Sequence, residues 1–218
     1  MKNIILIAPP AAGKGTQAKL ISDKYNIPHI STGDLLREEA TKDTKLGREI
    51  KEDMEKGNLV SDEVITTLLK NRITSSDSKK GYILDGYPRN INQAKIYSDL
   101  LKELNMDPGV VIFFDIDKER ALKRTLSRIV CSECGSSYNL LVSELKPKKE
   151  GMCDRCGHSL NTRNDDNEKT FVHRFDTYIN STKELIDYYT KEGLLHKVKV
   201  LDKPASVIFE EVEKVIND

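Results

Sequence analysis

At 218 residues the chain is long enough to bury a sizeable core, as one domain or as one core with small insertions. Its 35 basic and 35 acidic side chains cancel, which argues against a bulk attraction to nucleic acid or to an anionic membrane. The 38% hydrophobic and 32% charged composition is that of a soluble globule, the longest apolar runs (such as Val110–Phe114) fall far short of a bilayer, and no secretory pattern opens the chain, so a cytoplasmic protein with no membrane or nucleic-acid partner is expected.

The first predicted element is an apolar strand, Ile4–Ile7. It runs into Ala8-Pro9-Pro10-Ala11-Ala12-Gly13-Lys14-Gly15-Thr16, and a helix is predicted over Thr16–Lys24. Strand, small-residue loop, lysine, hydroxyl and helix in that order are the parts of a phosphate-binding loop. Small residues let backbone N–H groups approach phosphate oxygens, Lys14 adds a mobile cation, the Thr16 hydroxyl can ligate Mg2+, and the helix N-terminus adds partial positive charge. The spacing departs from G-x-x-x-x-G-K-[ST]: Ala8 takes the first glycine position, and Gly15 stands between Lys14 and Thr16.

A weaker strand, Pro28–Ser31, comes next, followed by helices over Thr32–Ala40, Leu46–Lys56 and Ser61–Ile73 and a polar surface loop over Thr74–Lys80. Strand Tyr82–Asp85, helix Ile91–Leu104, strand Val110–Asp115 and helix Lys118–Ile129 follow; helix Phe171–Glu192, strand Val198–Leu201 and helix Ser206–Ile216 close the chain. About five strands alternating with helices predict an α/β fold, a parallel sheet covered on both faces. Asp85 ends an apolar strand, where a carboxylate can hold Mg2+ through water. Asp115 ends the next strand and is its rival, but Gly86 and Arg89 follow Asp85 directly.

The stretch from Cys131 to Thr162 breaks the rhythm, being rich in Gly, Ser and Lys and carrying all four cysteines. Cys131-Ser132-Glu133-Cys134-Gly135 and Cys153-Asp154-Arg155-Cys156-Gly157 are two C-x-x-C-G knuckles with 18 residues between them. Two such knuckles complete a closed four-thiolate site, structural because no position is left for substrate; zinc suits it, and iron fits the same set. Lys146, Lys148, Lys149 and Arg155 give a nucleic-acid-gripping ribbon a foothold, but Tyr138 is the insert's one aromatic, so little surface is offered for base stacking.

Arginine is scarce, ten against 25 lysines, yet Arg37, Arg89, Arg124, Arg128, Arg163 and Arg174 all sit beside motifs. Planar guanidinium forks suit bidentate phosphate clamping. The phosphate loop, Ser31-Thr32-Gly33-Asp34-Leu35-Leu36-Arg37, Asp85-Gly86-Tyr87-Pro88-Arg89 with Gln93, the Arg124/Arg128 pair, the four-cysteine insert, Arg163-Asn164-Asp165-Asp166 and Arg174 occur in an order that resembles the adenylate kinases, in their long bacterial form with a zinc-carrying lid.

The resemblance spans nearly the whole chain. It implies a P-loop kinase-type core (1–30, 61–126 and 167–218), an AMP-binding subdomain (31–60), a zinc lid (127–166), and a monomer that interconverts ATP and AMP with two ADP, using Mg2+. By position it implies ATP phosphates on Ala11, Ala12, Gly13, Lys14, Gly15 and Thr16, with Arg124, Arg128, Ser137 and Tyr138 facing ATP from the lid side and a backbone group near Asp202 at its base. It implies AMP on Thr32, Arg37, Asn58, Leu59, Val60, Gly86, Tyr87, Pro88, Arg89 and Gln93, with Gln93 at the adenine edge; Arg163 and Arg174 clamp phosphates at the junction, and Asp165 and Asp166 close the lid. Lys14, Arg89, Arg124, Arg128, Arg163 and Arg174 are the implied catalytic set, Cys131, Cys134, Cys153 and Cys156 the zinc ligands, and Thr16 and Asp85 the Mg2+ ligands, direct or through water. Alanine stands at positions 8 and 11, where the family usually has glycine, and a positive φ at either would cost about 1–2 kcal/mol. The alternative readings are a P-loop kinase of the same build acting on UMP or CMP, and a member weakened or inactivated by Ala8 and Ala11.

Overall fold

The computed structural model describes residues 2–56, 60–163, 166–200 and 203–218. Five parallel strands form the main sheet: β1 (Ile4–Ile7), β2 (His29–Ser31), β3 (Ile83–Asp85), β4 (Val110–Asp115) and β8 (Leu195–Lys199), in the order β2-β3-β1-β4-β8. Strand β1 is central, with Ile5 opposite Leu84 on one side and Val111 on the other. Its four isoleucine and leucine side chains are all buried, because a strand covered on both faces has no solvent side.

Alternation along β1 divides the core. Ile4 and Leu6 face one apolar cluster, with Ala18 and Ile21 of α1 (Lys14–Tyr25) and Ile208, Val212 and Ile216 of α8 (Ala205–Asn217). Ile5 and Ile7 face the other, with Leu69 and Ile73 of α4 (Asp62–Ile73) and Tyr97, Leu100 and Leu101 of α5 (Ile91–Glu103). The longest helix, α7 (Glu168–Lys191), feeds both clusters: Phe171 and Phe175 enter the first, Leu185 and Tyr189 the second. The predicted α/β architecture is thus the observed one.

Helices α2 (Thr32–Ala40) and α3 (Lys45–Lys56) stand between β2 and α4, and Gly47 is required there. A Cβ at Gly47 would lie 2.4 Å from the Lys42 carbonyl oxygen, a clash only backbone movement could relieve. Helix α6 (Lys118–Leu126) ends three residues short of its expected end at Ile129. Arg128–Cys131 instead forms β5, the middle strand of an antiparallel sheet with β6 (Ser137–Asn139) and β7 (Leu160–Asn161), and cross-strand pairing suits the β-branched Ile129 and Val130. Ser137 and Tyr138 sit on β6. Strand β8 begins at Leu195 rather than the expected Val198, since it is an edge strand whose Lys197 and Lys199 are exposed. Among the described residues no helix is long and apolar enough to cross a membrane.

Candidate active site

Strand β1 delivers the chain into a loop at the C-terminal end of the sheet, the edge where parallel α/β proteins place their ligands. Gly13 precedes α1 with φ 88° and no side chain caps the helix, so its first backbone N–H groups stay open to a ligand. A Cβ on Gly13 or Gly15 would meet no protein atom within 4 Å. Ala11 adopts φ 61°, the left-handed region, whereas Ala8 is not among the positive-φ residues and packs as a buried core residue.

Lys14 extends from the first turn of α1 to Asp85, its Nζ 2.7 Å from Oδ1. His29 Nε2 lies 3.1 Å from the other carboxylate oxygen. Burial would by itself raise the Asp85 pKa, but the hydrogen bond from His29 and the Lys14 ammonium outweigh it and hold the carboxyl at about 2. Asp85 is therefore an ionised, partly buried carboxylate facing the helix that carries Lys14 and Thr16.

The loop opens onto a cleft of about 780 Å³. Ala11, Ala12, Gly13, Lys14, Gly15 and Thr16 line one wall; Gly86, Pro88 and Arg89 come from the turn after β3, Arg124 and Arg128 from either side of the α6 end, Ser137 and Tyr138 from β6, Arg163 from the segment just after β7 and Arg174 from α7. Five of the six expected arginines thus converge on one cavity from separate elements. Arg89 Nε donates to the Gly86 carbonyl at 2.8 Å, and Thr32 Oγ1 donates to the same oxygen at 3.1 Å. Arg128 grips Asp166 with two nitrogens, Nε to Oδ2 at 2.8 Å, and the Asp166 side chain is 1% exposed. Arg124 is buried, and its carbonyl accepts a hydrogen bond from Asn139 Nδ2 at 2.8 Å, which ties β6 to the end of α6.

Other expected residues lie outside the cleft lining. Arg37 is exposed on α2 and paired with Asp34; Thr32 is buried at the start of α2; Val60 is partly buried just before Ser61, whose hydroxyl caps α4. Tyr87 turns its side chain into the core, edge-on to Tyr97. Gln93 is 5% exposed, with its amide bonded to the Arg89 N–H and to Asp62. Asn58, Leu59, Asp165 and Asp202 fall outside the described residues. Sequence reasoning missed His29, and it missed His173, Thr177 and Ser181, which line the cleft from one face of α7. The signal for these three was their spacing of four residues, which stacks them on one helix stripe.

The four cysteine sulfurs lie within 4.8 Å of one another. The Gly135 N–H donates to the Cys131 carbonyl at 3.0 Å and the Gly157 N–H to the Cys153 carbonyl at 2.8 Å, so each C-x-x-C-G stretch closes a tight turn that its positive-φ glycine completes. Near contacts of 3.4 Å (Cys131–Cys156) and 3.5 Å (Cys134–Cys153) are slightly shorter than the edges of about 3.8 Å of a tetrahedron with four zinc–sulfur bonds. Four thiolates this close repel unless a cation or protons separate them, and the set fits a metal ion.

The adenylate kinase family model matches residues 6–194. The chain is 44% identical to an adenylate kinase of Archaeoglobus fulgidus, covering 98% of this chain and 97% of that one. It is 43% identical to that of Clostridium tetani and 45% identical to that of Methanosarcina barkeri, each over 98% of both chains.

Proposed function

This chain belongs to the adenylate kinase family, whose members interconvert ATP and AMP with two ADP, and we propose that it performs this transfer in the cleft below Lys14. The observation that carries the proposal is convergence: open helix N–H groups, Lys14 and five arginines from separate elements face one cavity. Two polyanions can be brought tail to tail only where such a charge density offsets their repulsion. The acceptor phosphate is already anionic near neutral pH, so no protein nucleophile or strong base is needed, and catalysis reduces to alignment and charge neutralisation.

On this reading Ala11 to Thr16 wrap the ATP phosphates, with Lys14 swinging from Asp85 onto the transferred group. Arg124, Arg128, Ser137 and Tyr138 face ATP. Arg89, Arg163 and Arg174 hold the phosphate of AMP, whose remaining contacts are Thr32, Arg37, the 58–60 backbone and the turn at Gly86, Tyr87 and Pro88; Gln93 takes the adenine. Thr16 and Asp85 are the residues that would hold Mg2+, directly or through water, and bound there it would neutralise charge between donor phosphates. Cys131, Cys134, Cys153 and Cys156 would hold zinc, which supplies stiffness and no chemistry. We read 31–60 and 127–166 as the two moving pieces. Closure excludes water that would otherwise hydrolyse ATP. We read the protein as a cytoplasmic monomer.

The test is ADP formation from ATP with AMP, GMP, UMP or CMP as acceptor, with and without Mg2+. Transfer to AMP that requires Mg2+ and far exceeds transfer to the other three is expected. A preference for UMP or CMP would make this a different monophosphate kinase, and no transfer at all would make it an inactive homologue.

A further inference from the structure

Gln93 carries an amide whose two ends are pinned from opposite sides. Its Oε1 accepts the Arg89 backbone N–H at 2.7 Å, and its Nε2 donates to Asp62 Oδ1 at 2.7 Å. An N–H can only donate and an ionised carboxylate can only accept, so one orientation of the amide satisfies both and the flipped one satisfies neither. Asp62 is itself held in place. It is the first residue of α4, and its second oxygen, Oδ2, accepts from Asn92 Nδ2 at 2.9 Å, so one carboxylate bridges two consecutive side chains of α5. The backbone of Gln93 is anchored as well, its N–H on Asn90 Oδ1 at 2.9 Å and its carbonyl beneath the Tyr87 hydroxyl at 3.3 Å. Nothing in the phosphate chemistry uses Asp62.

We propose that Asp62 is a specificity-determining positioning residue: by locking the Gln93 amide it makes the site read a 6-amino purine and reject a 6-oxo purine. The lock leaves one N–H and one Oε1 lone pair of Gln93 for a base. A side-chain amide pairs with adenine by giving and receiving one hydrogen bond at once. A 6-oxo purine presents a carbonyl where adenine has its amino group and an N–H where adenine has a bare nitrogen, so it needs the amide turned over. Turning it over would set the Gln93 NH2 against the Arg89 N–H and its oxygen against the Asp62 carboxylate, two repulsive contacts at a side chain that is itself buried. Discrimination of this kind rests on what the wrong partner would leave unpaired or opposed.

The inference rests on the proposal that the base of AMP meets Gln93, and the experiment separates the two. AMP and IMP are compared as acceptors in the intact chain carrying Asp62→Ala, Asp62→Asn, Gln93→Ala or the first and third together. Asp62→Ala is expected to raise KM for AMP and to lower the AMP-over-IMP ratio of kcat/KM by about tenfold, with KM for ATP unmoved. Asp62→Asn keeps a side-chain carbonyl for Gln93 Nε2, while the partner Asn92 can turn its own amide to match, so the ratio should return to within about threefold of the parent. The double variant should resemble Gln93→Ala alone, because Asp62 acts only through the amide. Should Asp62→Ala melt too low to assay, Asp62→Ser, polar at the helix start but too short to reach Gln93, takes its place. A loss of the ratio in Gln93→Ala with none in Asp62→Ala or Asp62→Ser overturns the role of Asp62 and leaves Gln93 at the base. An unchanged ratio in Gln93→Ala overturns the placement of the base and the role of Asp62 with it.

Discussion

Ala11 and Ala8 both stand where the family usually has glycine, and the backbone treats them differently. Ala11 sits at φ 61°, where its Cβ crowds the following carbonyl at a cost of about 1–2 kcal/mol. Ala11→Gly removes that strain and gives back part of it through a more flexible unfolded chain, so a net gain of about 0.5–1 kcal/mol and a melting point a few degrees higher are expected. Ala8 has no positive φ and buries its methyl group, so Ala8→Gly should lower stability by about 1 kcal/mol. Equal effects of the two substitutions in a calorimetric scan would refute the distinction. Sequence alone could name both positions but could not tell them apart, because φ is set by how the loop turns and not by the residue that occupies it.

Asp85 makes a second prediction at this scale. Its folded pKa, about 2, lies below its ordinary 3.8, so the folded state holds fewer protons and gains stability wherever the carboxyl is ionised in both states. That gain is complete above about pH 4 and is lost as pH falls toward 2, and a depression of this size is worth on the order of 2 kcal/mol. Urea unfolding of the parent between pH 5 and pH 2 should show a slope that is shallower in Asp85→Asn over the lower half of that range, the remainder coming from other depressed carboxylates such as Asp77. A variant with the same slope as the parent would mean that the Lys14 and His29 contacts do not perturb Asp85.

Elements whose stability comes from buried apolar runs or from a local cap were the legible ones. Val110–Asp115 and Thr32–Ala40 begin and end where apolar runs and the Ser31 cap place them. The elements misjudged owe their structure to neighbours far along the chain. Strand β8 alternates Lys197 and Lys199 with Val198 and exists because β4 offers it a hydrogen-bonding edge. Strand β5 reads as more of α6 until β6 and β7 flank it. The candidate site divides the same way. The phosphate loop and the arginines were readable because charge and spacing advertise them. His29 and Asp62 were not, because their roles come from partners 56 and 31 residues away.

The three strands of the smaller sheet have four, three and two residues, too few to hold a sheet without a staple. Cys131 and Cys153 are 2% and 3% exposed, so the staple is also most of what this sheet has for a core. Removing metal with a chelator, or making Cys131→Ser, should therefore lower the melting temperature by on the order of 10 °C while kcat measured well below that temperature stays within a few-fold. Mass spectrometry should count about one metal per chain before treatment. A variant that melts like the parent yet is dead in the cold would assign the metal to chemistry instead.

At the scale of the whole molecule, zero net charge conceals segregation: arginines from the β3 turn, both sides of the α6 end, the segment after β7, and α7 line one cleft together. These elements lie far apart in sequence and come together only in the folded chain, so a ligand touching all of them must bind the folded state far better than the unfolded one. A dinucleotide of two adenosines bridged by five phosphates spans both nucleotide positions and matches the cation density along its length. At a hundred times its Kd it should add about 2.7 kcal/mol, raising the melting temperature by roughly 5–10 °C. ATP or AMP at the same multiple of its own Kd would add as much by mass action, so the discriminating quantity is affinity. The bridged compound should bind at least a hundredfold more tightly than either nucleotide, because the second half docks at a high effective concentration once the first is seated. Its affinity should fall steeply between 50 and 500 mM salt, as attraction between a polyanion and a cationic cleft is screened. Calorimetry showing the bridged compound no tighter than ATP would mean that the arginines serve one nucleotide, and that the second phosphate never reaches the space in front of Lys14.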